Sequence, residues 1–217
     1  SGPSNAADAS PVTTVAVVWT DLVGVTANGN DLTKTAYTDW GNGGAAASQS
    51  FTGNGGIRFT AGETYTYRMA GLSTANTDAG YASINYAVYL VAGGAVLIYE
   101  SGVYLGAFET YQTGDVLSVE REGDIVYYKK NGTVFYTSAV PAANSTPLLG
   151  DVALYDTGAT VLDAFLVGVT PPVPAAPSAP ANLSAAGGDQ QVELNWNASA
   201  SNGSPITGYQ VQYGTVA

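Results

Sequence analysis

The chain has 217 residues, 46% of them hydrophobic and 11% charged, with 17 Asp and Glu against six Lys and Arg, a net charge of −11, and neither Cys nor His. That excludes intrinsic disorder, disulfides, thiolate chemistry and the usual histidine general base, and the length sets one or two domains. An acidic exterior repels phosphate backbones and anionic lipid, so nucleic-acid binding is not expected, whereas a neutral sugar, a cationic partner or Ca²⁺ would suit it.

Residues 1–14 are small and polar and read as a leader or linker; Ser1-Gly2-Pro3-Ser4 carries no signal-peptide pattern and reads as a processed start. Strand-like runs then recur at short intervals. Val15 to Trp19 is apolar and β-branched, Asn28-Gly29 marks a turn before Leu32 to Thr35, and Gly53 to Gly56 precedes the alternating Ile57 to Thr60. Thr64 to Leu72 has strand chemistry throughout. In the next run Ile84, Tyr86, Val88 and Leu90 share one face, and Asn85, Ala87 and Tyr89 the other. Gly93-Gly94 and Ser101-Gly102 turn the chain into Val96 to Glu100 and Val103 to Leu105. From Gly114 to Ser138 three strands follow one another, with Glu122-Gly123-Asp124 as a tight turn and Asn131-Gly132 as the residue pair of a type I′ hairpin. Asp151 to Tyr155 and Val161 to Phe165 supply the last strands. Tyr, Thr, Val and Gly dominate, and no helix of convincing length and period is present. No apolar run approaches the roughly 20 residues of a membrane helix, and membrane insertion is not expected. Five prolines over residues 171–181 make a stiff spacer and set a boundary near residue 170.

The segment GDVLSVEREGDIVYYKKNGTVFYTS, residues 114–138, resembles the strand–turn–strand–NG–strand run of concanavalin A-like β-sandwiches, including SPRY-type domains. Trp19 to Thr26, Leu32 to Thr35 and Tyr67 to Leu72 also resemble a lectin-like module of large bacterial surface proteins. The resemblance covers residues 15–170 and implies an all-β, antiparallel jelly-roll sandwich; such folds host lectins, glucanases and protein-binding modules alike. The acidic strand motif of the glucanase branch is not matched. Glu120 and Glu122 share one strand face roughly 7 Å apart, but Gly123 stands where a third acid would continue the motif, so a solvated acidic edge is expected. The metal-site pattern of legume lectins is absent as a set.

A second resemblance follows the spacer. Ser178 to Leu183, then Val192, Leu194 and Trp196, then Ser204 to Tyr213 are similar to strands A, B and C of a fibronectin type III domain. The resemblance implies a partial immunoglobulin-like sandwich over residues 182–217. Strands D to G would come from further sequence, a neighbouring domain or another chain, since such sandwiches take about 100 residues.

Candidate binding residues cluster in two places. Asp39-Trp40-Gly41-Asn42 puts an indole beside short polar side chains, as sugar recognition requires: a C–H face packs on a ring while hydroxyls need donors and acceptors. The bland alternative is that Trp40 plugs one end of the sandwich. Tyr99, Glu100 and Tyr104, with Phe108, Glu109 and Tyr111, form an aromatic–acidic group in which alternation would bury about half of the rings. Asp115, Asp124 and Asp151 read as turn aspartates that cap their own backbone; they are the only hint of Ca²⁺, and no cofactor is expected. Asn131-Gly132-Thr133 and Asn144-Ser145-Thr146 match the glycosylation sequon, but Asn131 is better explained by its turn.

The expectation is therefore a non-catalytic binding module, for a glycan or alternatively a surface protein, on a secreted or cell-surface chain. A structural or adhesion spacer is the alternative, and a glycoside hydrolase the least favoured reading.

Overall fold

The computed structural model describes residues 13–169, 178–199 and 206–211. Residues 1–12 of the expected leader, most of the proline spacer and the ends of the third fibronectin-like strand lie outside these residues, and Thr14, expected in the leader, opens the first strand. The chain divides into two compact units, Ser1–Thr170 and Pro171–Ala217.

The first unit is built of two antiparallel sheets. Numbered in chain order, one sheet runs β13 (Thr133–Thr137), β12 (Ile125–Lys130), β11 (Val116–Glu122), β6 (Gly55–Thr60), β15 (Thr160–Val167), β4 (Asp31–Lys34) and β3 (Val25–Asn28), with β1 (Thr14–Ala16) also paired to β15. The other runs β10 (Val103–Thr110), β9 (Ala95–Glu100), β8 (Tyr86–Leu90), β7 (Arg68–Ser73), β14 (Leu148–Leu154), β5 (Gly44–Phe51) and β2 (Trp19–Val23). The order follows from turn chemistry and alternation. Asn131 and Gly132 both take the left-handed φ that a type I′ turn demands, 50° and 82°. They fold β13 back on β12, and Gly123 at φ 61° does the same between β11 and β12. Leu117, Val119, Val126, Tyr128, Val88, Leu90, Val96, Ile98 and Val152 are then buried between the two sheets in one apolar core.

Three expectations change, and one strand, β5, has no counterpart among the expected runs. The run Val15 to Trp19 is divided: β1 ends at Ala16 and β2 begins at Trp19 on the other sheet. Residues 64–66 are bends and Tyr67 lies outside any strand, because Glu63 turns its carboxylate inward to meet Arg68 at 2.6 Å, and also accepts hydrogen bonds from Thr66 and the Thr160 hydroxyl. Strand β5, GAAASQSF, carries no strand signal in its composition, yet it pairs with both β14 and β2. Asp151 does not end a turn. It lies within β14, 2% exposed, with its carboxylate accepting the Ser73 hydroxyl at 2.6 Å.

Arg121 takes an inward position on β11 and is fully buried. Its guanidinium donates to the carbonyls of Gly53, Ala143 and Thr146 at 2.7–2.9 Å and lies over the Phe51 ring. It thereby fixes the loops at one end of the sandwich by hydrogen bonds to neutral groups.

The second unit contains a hairpin of β16 (Ala181–Gly188) and β17 (Gln191–Asn197), with Trp196 edge-on to Tyr209 at 5.4 Å. Residues 206–211 form no strand; no described segment pairs with them.

Burial raises the Asp151 carboxyl from 3.8 to about 6, with the Ser73 hydrogen bond opposing. The native state therefore holds this proton where the unfolded chain has released it. The contribution is a cost, absent below pH 3.8 and complete above pH 6, of about 3 kcal/mol. Asp151→Asn is expected to stabilise the protein at pH 7 in urea unfolding and to lose that advantage by pH 3.5; a pH-independent difference would contradict the assignment.

Candidate functional site

Each strand of the second sheet has one face in the core and one facing away. On β8 and β9 the alternation sends Tyr86, Val88, Val96 and Ile98 inward and leaves Ala87, Tyr89 and Tyr99 on the far side. There Met69, Ile84, Ala87 and Ala153 make a small second cluster, and Trp40, Tyr81, Tyr89 and Tyr99 pack on it half-buried. Small residues on the neighbouring strands leave room for the rings.

The result is a connected row of seven aromatic rings. Tyr67 and Tyr155 meet at 6.0 Å, Tyr155 and Trp40 at 5.1 Å, Trp40 and Tyr81 at 5.0 Å, Trp40 and Tyr89 at 5.8 Å. Tyr81 and Tyr89 each reach Tyr99, at 5.9 and 5.6 Å, and Tyr99 reaches Tyr104 at 5.4 Å. Most pairs are edge-to-face, the arrangement aromatic quadrupoles favour. Tyr104 is 53% exposed and Tyr67 36%, so the row is open to solvent at its two ends. Burial raises the Tyr89 phenol well above its ordinary value, with the phenols of Tyr99 and Tyr67 adding to it, so this hydroxyl stays protonated, able to donate and accept at neutral pH.

Trp40 stands in its loop because of Lys34. The Lys34 ammonium, 1% exposed at the end of β4, donates to the carbonyls of Asp39 (2.6 Å), Leu154 (2.8 Å) and Tyr155 (2.7 Å) and to Asn42 Oδ1 (2.7 Å). Burial pulls its pKa down, and the charges of Asp39 and Asp156 oppose that. Asn42 also donates to the Tyr37 carbonyl, and Asp39 Oδ1 accepts the Trp40 amide. Gly43 has no room for a side chain, since a Cβ would come within 2.7 Å of Lys34 Cδ and Cε.

Of the residues singled out in the sequence, Trp40, Tyr99 and Tyr104 come together in the row. Asp39 lies beside it, exposed, whereas the Asn42 amide is spent on the loop. Glu100 is not on this face: one residue on from Tyr99, it points between the sheets and is 7% exposed. Tyr111 is buried with its hydroxyl on the Val91 carbonyl, and Phe108 stacks on Tyr136 at 4.4 Å. Tyr67, Tyr81, Tyr89 and Tyr155 were not singled out. Alternation alone marks Tyr89 as opposite to Tyr86, but the other three lie beside bends, in a 3₁₀ turn and at a strand end where no period applies.

Glu120 and Glu122 both bind Lys129, at 2.6 and 2.9 Å, which makes them an ion-paired strand surface. Asp115 accepts from the Gln112 amide and the Asn131 side chain, which lower its pKa, the latter more strongly. Asp124 accepts the Asn144 amide. Among the described residues no three acidic side chains converge as a metal site.

No family model matches the chain, and no curated protein matches it. Solved structures do. A human SPRY domain is similar with a TM-score of 0.51 at 11% identity, over 71% of this chain and 99% of that one. The carbohydrate recognition domain of Emp47p is similar with a TM-score of 0.50 at 11% identity, over 75% and 99%. The metal-free carbohydrate recognition domain of Emp46p gives 0.49 at 12% identity, over 70% and 88%. At these identities the likeness shows the fold alone: an antiparallel jelly-roll sandwich of the concanavalin A-like kind.

Removing the ammonium should release the Trp40 loop. Lys34→Met removes this donor from the carbonyls of Asp39 and Leu154, while the Tyr155 carbonyl keeps the Asp39 amide, and is expected to cost about 2 kcal/mol in urea unfolding. Gly43→Ala should be destabilising through the same contact. Wild-type stability in the Met variant would show that the cage does not hold the loop.

Proposed function

We propose that the sandwich is a non-catalytic carbohydrate-binding module on a secreted or cell-surface protein. The observation that carries this is the row of seven half-buried to exposed rings on the outer face of the second sheet. A sugar's apolar faces need flat rings at several successive positions, and its hydroxyls need donors and acceptors at the rim. The phenols, the exposed Asp39 carboxylate and Asp156, which accepts the Tyr67 amide, supply the latter. Net charge of −11 favours a neutral glycan over an acidic one. The similarity to solved carbohydrate recognition domains agrees with this reading at the level of the fold.

The clamping of Glu120 and Glu122 by one lysine weighs against hydrolysis, because a glycosidase needs one carboxyl free to donate a proton and another free to attack or to activate water. The hairpin β16–β17 and Trp196 fit the first two strands of a fibronectin-like neighbour.

The test is a glycan array with and without calcium, comparing the wild type with Trp40→Ala and Tyr99→Ala. A neutral-glycan signal lowered at least about fivefold in both variants is expected, since each ring contributes on the order of 1 kcal/mol or more. No signal from folded wild type would turn the assignment to an adhesion spacer or protein-binding module, and a calcium-dependent signal would implicate acidic side chains outside the ring row.

A further inference from the structure

Glu100 closes a cleft of about 430 Å³ at the end of the sandwich, on the side of β9 opposite the ring row. Tyr86, Ser101, Val140, Pro141 and Leu148 line it with Glu100. Glu100 as a residue is 7% exposed. Its Oε1 accepts the Tyr128 hydroxyl at 3.0 Å, and no described residue donates to Oε2. Its charge helps to raise the phenols of Tyr128, Tyr86 and Tyr136 above their ordinary values.

A buried carboxylate needs a countercharge. Among the described residues the chain pairs no cation with it. The chain has six cationic side chains, and all have places. Lys34 is caged by carbonyls, Arg58 lies over Phe165, Arg68 pairs with Glu63, and Arg121 bonds the carbonyls of Gly53, Ala143 and Thr146. Lys129 pairs with Glu120 and Glu122, and Lys130 with Glu109. Glu100 is in none of these pairs.

We propose that this cleft binds a primary ammonium group, with Glu100 Oε2 as its anchor. Three features select that chemistry. A guanidinium pairs best through both carboxylate oxygens, and Oε1 is taken by Tyr128. A calcium ion takes six to eight oxygens, and one carboxylate oxygen falls far short. An ammonium needs one strong acceptor and a few weaker ones, which the Ser101 hydroxyl at the rim and the Tyr86 phenol oxygen provide. The apolar wall of Val140, Pro141, Ala142 and Leu148 suits methylenes or a sugar C–H face leading to the charged end. The acidic exterior raises the local concentration of such a ligand. The inference does not depend on the ring row being a sugar site, since it rests on other residues on the other face of the sheet.

The experiment is a ¹⁵N–¹H NMR titration of the 217-residue chain with n-butylammonium, which mimics a lysine side chain, with glucosamine as the amino-sugar source, and with n-butanol as the neutral control. Saturable shifts confined to the amides of Ser101, Val140 and Ala142 are expected with one or both amines, and butanol should bind about tenfold more weakly or worse. The amine that binds more tightly identifies the source. Glu100→Gln keeps an acceptor for Tyr128 and should abolish the shifts. Should that variant fail to fold, Val140→Trp, made at a residue 52% exposed at the mouth, closes the cleft with the carboxylate intact and should abolish them instead. Absence of saturable shifts with either amine, equal binding of butanol, or shifts that persist in a folded Glu100→Gln or Val140→Trp variant would overturn the proposal.

Discussion

The Lys34 ammonium ties the two sheets together at the end of the sandwich where the indole stands. Lys34 belongs to β4 of one sheet, Leu154 to β14 of the other, and Asp39 and Asn42 to the loop between β4 and β5. Withdrawing a cation from water costs several kcal/mol, and three N–H donors shared among four oxygens, at roughly 1.5–3 kcal/mol per charge-assisted hydrogen bond, approximately offset that cost. The cage therefore adds little net stability. It specifies position: only one course of the loop brings all four oxygens to one nitrogen, and that course sets Trp40 against Tyr81, Tyr89 and Tyr155.

The same economy with cations shapes the exterior. Three of the chain's six basic residues, Lys34, Arg68 and Arg121, are buried. Two of them bond neutral carbonyls, and only Arg68 has a carboxylate partner. Most of the acids stay outside with few cations among them, so the surface is more acidic than the proportion of charged residues implies. The orphaned charge of Glu100 is the inward counterpart of this distribution.

Much of the sandwich is legible from period and turn residues. The β11–β12–β13 meander follows from Gly123 and from Asn131-Gly132, whose conformations few other pairs adopt. Strand β5 is illegible because its alanines and glycine are chosen by neighbours distant in sequence: Gly44 faces the Val152 carbonyl so closely that a Cβ would lie 2.6 Å from it. Closeness between strands, rather than β propensity, decides those residues. The site was half legible. Trp40 and the tyrosines of β9 and β10 are conspicuous by type, but Tyr67, Tyr81 and Tyr155 join them through tertiary packing alone. Asp151 was misplaced because a glycine before an aspartate signals a turn, and here Gly150 is instead a close-packed strand residue whose Cβ would meet Ile57 at 2.6 Å.

Tyr99 and Glu100 show how one strand can serve two chemistries. As neighbours in sequence they read as one aromatic–acidic cluster, yet period two sends them to opposite faces of the sheet. The outer face, where Tyr99 lies, carries half-buried rings along its middle and exposed phenols at its two ends, which suits the proposed ligand that packs on rings and exchanges hydrogen bonds with phenols. The inner end, where Glu100 lies, is narrow and carries one buried charge, so a ligand there gains chiefly by neutralising it. A carboxylate on the ring face would be hydrated and weak, and a ring at the cleft's end would leave no reason for a charged ligand to enter. The alternation of the strand places the proposed sugar face and the proposed ammonium cleft on opposite sides of the sheet without any additional element.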